Sequence, residues 1–169
     1  MKYLKIVFYA VWLLILAVLQ PTLAREIEFF SVAPNFFLCF VVITALFRGK
    51  TEGGIIGLIF GLVYDMLIGR LVGVNALIYF YLGFGSGVLG EHFFSGEKRL
   101  AGMGTIAIGT VLSAFVYYIA QTVLGLDTAF SVMVIRIGLI EAVYNAVIGL
   151  IMIFPVTGTM KFTRMKRIF

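Results

Sequence analysis

The stretch GGIIGLIFGLVYDMLIGRLVGVNA, Gly53 to Ala76, decides how the rest of the chain is read. Steps of four from Gly53 land on Gly57, Gly61, Asp65, Gly69 and Gly73. Residues four apart on an α-helix lie nearly above one another, so the first three glycines share one face. Inside a membrane such a stripe lets a second helix approach to backbone contact. The stripe then meets Asp65, a residue type that is costly at membrane depth. The pattern predicts a docking groove for a neighbouring helix, a ligand or another protein, closed at one end by an acid.

Composition sets the solvent in which that groove must work. The 169 residues are 62% hydrophobic and 12% charged, with a mean hydropathy of +1.12. A soluble domain of this length needs far more polar surface, so the expected class is an all-α integral membrane protein. The single cysteine, Cys39, excludes an intrachain disulfide and a cysteine-based metal site. The single histidine, His92, is too little for a histidine-based metal site or relay. No paired carboxylates, Ser/His arrangement or ligand cluster sits in an apolar run, so neither catalysis nor a cofactor is expected. The net charge of +5 does not imply nucleic acid, because the basic residues stand at the ends of apolar runs.

Those runs predict one polytopic domain of six spans, at about 4–23, 29–47, 53–68, 71–89, 100–124 and 130–154, each near the roughly 20 residues that cross the hydrocarbon. The first is read as a retained helix rather than a cleaved signal peptide. Gln20-Pro21 is expected near the end of span 1, Pro34-Asn35 in the first turns of span 2, and Pro155 as the stop of span 6. Lys2, Lys5, Arg48, Lys50, Lys98, Arg99, Lys161, Arg164, Lys166 and Arg167 flank the spans on one side, and only Arg25 and Arg70 on the other. The bias predicts both termini in the cytoplasm. The basic tail, Lys161 to Arg167, is expected to hold anionic headgroups.

Five polar residues inside the spans are candidates for an intramembrane network. Asp65 lies at the C-terminal end of span 3, where the helix macrodipole opposes a negative charge. Its expected partners are Arg70, Asn75, Arg136 or backbone amides at the start of span 4. Arg136 lies about two turns into span 6, near the depth of Asp65, and pairing the two would lock span 6 to the glycine face. Glu141 and Asn145 stand one turn apart on span 6, placed either to hydrogen-bond to a neighbouring helix or to line a path. Further close approaches are expected at Gly83, Gly87, Gly90, Gly102 and Gly109.

Pro34-Asn35, the basic turn at Arg48, and the run from Gly53 through Gly57, Gly61, Leu62, Asp65, Gly69, Gly73 and Asn75 to Leu77 resemble the rod shape-determining protein MreD family. The resemblance implies a non-enzymatic subunit of the bacterial cell-elongation complex in the inner membrane. The partners it implies are an MreC-like bitopic protein and, more widely, RodA, a class B penicillin-binding protein and the MreB filament. The family is similar in fold to the substrate-capturing S-components of energy-coupling-factor transporters, which makes a small-molecule-binding subunit the alternative. S-components commonly carry A-x-x-x-A on the first span. Here Ala10 is followed by Leu14, and Ala17 by Pro21. A partner's helix is expected on the outer half of the Gly57–Asp65 surface.

Overall fold

Six helices run through residues 2–28, 32–68, 71–92, 98–125 and 138–165, the parts of the chain that the computed structural model describes. They are α1 (Lys2–Glu26), α2 (Phe36–Arg48), α3 (Lys50–Leu67), α4 (Val74–His92), α5 (Lys98–Val123) and α6 (Leu139–Met165). Three are long and apolar enough to cross a membrane, over Tyr3–Ala24, Leu100–Val123 and Leu139–Met160. The other three are shorter or less apolar. α2 has 13 residues, about 20 Å of helix against a hydrocarbon core of about 30 Å. α3 carries Lys50, Glu52 and Asp65.

α2 is the centre of the molecule. Its run from Phe36 to Leu46 is buried throughout, and all five other helices pack on it. A helix apolar on every side suits burial on every side, in protein or in lipid. The residue before a proline resists the helical conformation, which fits α2 beginning only after Pro34. Asn35 caps the start, its side chain accepting from the Leu38 amide at 3.0 Å. The free backbone groups at this break are met from α1, since Gln20 Nε2 donates to the Pro34 carbonyl at 2.8 Å and Gln20 Oε1 accepts from the Phe36 amide at 2.9 Å. At its other end α2 turns into α3 through Gly49 alone, which has φ +94°. That left-handed conformation costs a glycine little and a side chain about 1–2 kcal/mol.

Two prolines lie within helices, and one of them departs from expectation. Pro21 lies inside α1 and Pro155 inside α6, and both helices continue past them. The expected stop at Pro155 is therefore corrected. A membrane helix accepts a proline when nearby groups re-satisfy its backbone. Around Pro155 the Thr157 and Thr159 hydroxyls donate to the Ile153 and Pro155 carbonyls at 2.5 and 2.7 Å, additional bonds on the turns beside the Ile151 carbonyl that the proline leaves without its amide.

α1 lies on the outside, with 22% of its span buried, and is fixed at a few points. Trp12 packs against Phe40 with ring centroids 5.1 Å apart. At the N-terminal end Lys5 Nζ reaches Glu52 Oε2 at 2.8 Å, and the Tyr9 hydroxyl donates to the same carboxylate. Burial pushes the Glu52 carboxyl up, but the hydrogen bonds from Lys5 and Tyr9 and the charges of Lys5 and Arg48 outweigh it and hold it below its ordinary value. A carboxylate lowered on folding stabilises above its unfolded value and loses that contribution as pH falls through the folded one. Acidification below pH 4.5, the ordinary value, is therefore expected to loosen α1. Trp12, the sole tryptophan, should report this as a red-shifted emission. Glu52→Gln should show the shifted emission already at neutral pH, and an emission independent of pH in both proteins would contradict the attachment.

Candidate functional site

The glycine face of α3 is filled by α4. A Cβ on Gly53 would stand 2.6 Å from the Gly83 carbonyl oxygen, one on Gly57 2.0 Å from that of Tyr79, and one on Gly61 2.5 Å from that of Asn75. Each step of four along α3 is matched by a step of four back along α4, the register of an antiparallel pair in backbone contact. The expectation that a partner's helix covers the outer half of this surface is corrected on these distances: α4 occupies it, and no second helix fits between. Gly83, Gly87 and Gly90 make the complementary approach, with the Cβ position of Gly87 2.3 Å from the Lys50 backbone and that of Gly90 2.3 Å from the Leu46 carbonyl.

Gly73 has a different job from the one its spacing suggests. It precedes α4 with φ +98°, and a Cβ there would meet nothing within 4 Å. The turn needs its conformation, not its small size. Gly69, Arg70 and Arg136 lie outside the described residues, as does the proposed Asp65–Arg136 pairing. Nothing is described of the side chains of Lys98, Arg99 and the basic tail.

Asp65, 1% exposed, caps the start of α4. Its Oδ2 accepts from the Gly73 amide at 2.8 Å and the Ala76 amide at 3.2 Å. Its Oδ1 accepts from the Asn75 side chain at 2.7 Å and the Asn75 amide at 3.3 Å. Of the expected partners within the described residues, Asn75 and the amides at the start of α4 both bond to it. An acid disfavoured at the C-terminal end of its own helix is thus held by the positive end of the next.

A second polar cluster joins α4, α5 and α6 to the start of α2. Asn145 on α6 accepts from the Asn35 amide at 2.7 Å through Oδ1. Its Nδ2 donates to Thr110 on α5 at 3.0 Å and to Glu141 at 3.3 Å. Tyr79 on α4 completes the set, accepting from Asn35 Nδ2 at 2.6 Å and donating to Asn35 Oδ1 at 2.9 Å. The Cys39 thiol donates to the Asn145 carbonyl at 3.3 Å. Glu141 and Asn145 are brought together as their spacing predicts. Asp65 and Asn75 form a separate group. The sequence places Gln20 and Asn35 only at helix ends and does not mark Tyr79 or Thr110, although the Pro34 break announces backbone groups that need buried partners.

These arrangements spend polar groups on the fold. Among the described residues the Thr44 hydroxyl is the one fully buried side-chain oxygen or nitrogen without a partner. No group of three His, Cys, Asp or Glu side chains among them could hold a metal ion. The family model described as rod shape-determining protein MreD matches residues 2–163. No curated protein and no solved structure matches the chain.

Proposed function

Because the chain belongs to the MreD family of rod shape-determining proteins, we propose that it is a non-enzymatic scaffold of the bacterial cell-elongation complex and binds an MreC-like bitopic protein. Membership implies a part in determining rod shape, and the long apolar helices suit an integral membrane protein. In this reading all six helices cross the inner membrane as one domain with both termini in the cytoplasm. The ten-to-two distribution of basic residues supports that orientation. RodA, a class B penicillin-binding protein and MreB are the wider assembly.

One observation weighs most for a scaffold over a small-molecule carrier. The carboxylate, amides and hydroxyls of Asp65, Asn35, Asn145, Tyr79 and Gln20 bond to one another and to the chain's own backbone. A binding cavity needs such groups free to face a ligand. The partner's place is then on an outward helix face, since α4 takes the glycine face.

Affinity purification of the tagged full chain from its own membranes in mild detergent tests the proposal. An MreC-like protein with one transmembrane helix should co-purify. A preparation that carries a stoichiometric small molecule and no bitopic protein would overturn the scaffold in favour of a substrate-capturing subunit.

A further inference from the structure

At the end of the bundle where the α2–α3 turn meets the end of α4, an open hollow of about 410 Å³ is lined chiefly by Arg48, Lys50, Thr51, Glu52, Ile55 and Glu91. Among the described residues two cations face two carboxylates there, so that lining is strongly charged and yet formally neutral. Lys50 on α3 and Glu91 on α4 meet at 3.5 Å, each side chain nearly half exposed. A tight charge-assisted bond closes to about 2.7–2.9 Å, so this exposed pair is a weak one whose members are able to turn to the charges of a ligand instead. Glu52 is already committed to Lys5 and Tyr9, which leaves Glu91 as the more available acceptor.

The hollow also has an apolar exit. Ile55 is 54% exposed at its edge, and Ile59 and Leu62, one and two turns further along α3, are exposed as well. They form a track that leads from the charged rim along the apolar length of the helix. A charge-balanced hollow opening onto such a track has the three parts that recognise a zwitterionic lipid.

We propose that this hollow seats a phospholipid whose headgroup carries a phosphate and a primary ammonium. The phosphate lies against Lys50 and the Thr51 hydroxyl, the ammonium against Glu91, and an acyl chain along Ile55, Ile59 and Leu62. A purely anionic headgroup would face Glu52 and Glu91 with no cation to offer them. A quaternary ammonium brings the charge but no N–H to donate to Glu91, whereas a primary ammonium has three. The site is independent of the scaffold reading.

Reconstitution of the full chain into bilayers of equal parts phosphatidylethanolamine, phosphatidylcholine and phosphatidylglycerol tests it. After mild extraction, native mass spectrometry reads the lipids retained. Phosphatidylethanolamine should be enriched several-fold over the other two. Glu91→Gln should level phosphatidylethanolamine with phosphatidylcholine, and Lys50→Gln should lower the retention of both. Retention in proportion to the bilayer, preference for phosphatidylglycerol, or an ethanolamine preference surviving both substitutions would overturn the site. The wild-type ratios alone decide the first two outcomes.

Discussion

Alanine at Gly57 is expected to destabilise the bundle by about 3 kcal/mol or more, at the upper end of overpacking costs. The added Cβ would stand 2.0 Å from the Tyr79 carbonyl oxygen, whereas ordinary contact begins at 3.4 Å. The obstacle is backbone, so no rotamer change relieves it, and the deficit of 1.4 Å (3.4 minus 2.0) must be met by moving α3 and α4 apart. The two helices are stiff, so the separation carries to Gly53 against Gly83 and to Gly61 against Asn75. Thermal unfolding of the detergent-solubilised protein should show a fall on the order of 10 °C, with membrane insertion preserved. Gly85→Ala and Gly104→Ala are the controls, because a Cβ at either meets nothing within 4 Å. Equal melting of Gly57→Ala and the controls would mean that α3 and α4 are not in backbone contact.

Asparagine at Asp65 is expected to cost on the order of 3 kcal/mol, although it changes the side chain's shape hardly at all. Each carboxylate oxygen accepts two hydrogen bonds at the start of α4. An amide keeps one acceptor and turns the other position into a donor. If its oxygen stays on Asn75, its NH2 faces the Gly73 and Ala76 amides, and if it flips, it faces Asn75. Either way two buried donors lose their acceptor, and each such loss costs about 1–3 kcal/mol. The negative charge that complemented the α4 dipole is lost too. Thermal unfolding of Asp65→Asn and hydrogen exchange at Gly73, Asn75 and Ala76 check this. A variant that melts like wild type with those amides still protected would show that the carboxylate is not their acceptor.

How far the sequence anticipated this structure depends on whether a feature is local. The glycine face was legible because a period of four on one helix is a local property, and small residues on it have few uses other than close approach. The expectation that Asp65 needs a partner followed from its place at a helix end, and two of its expected partners, Asn75 and the α4 amides, lie ten residues or so downstream. Which helix would lie on the glycines was not legible, since α4 and a partner's helix offer similar apolar surfaces. The Asn35–Asn145 bond joins residues 110 positions apart, and no local pattern encodes that separation. Pro155 was misread for another reason. Loss of one backbone hydrogen bond stops a helix in water more readily than in a membrane, where leaving the helix would strip further backbone groups of partners with no solvent to replace them.

The enclosure of α2 has a consequence for biogenesis. Synthesis runs from the N-terminus, so α2 leaves the ribosome before four of the five helices that surround it. Until they arrive it must survive in lipid alone, which its sequence FFLCFVVITALFR permits because Thr44 and Arg48 are its only strongly polar members. Asn145, which meets the amide of Asn35, is made only after α2 to α5. The start of the innermost helix is thus completed only once α6 has been made, and a chain that stalls before α6 would leave that amide without its acceptor.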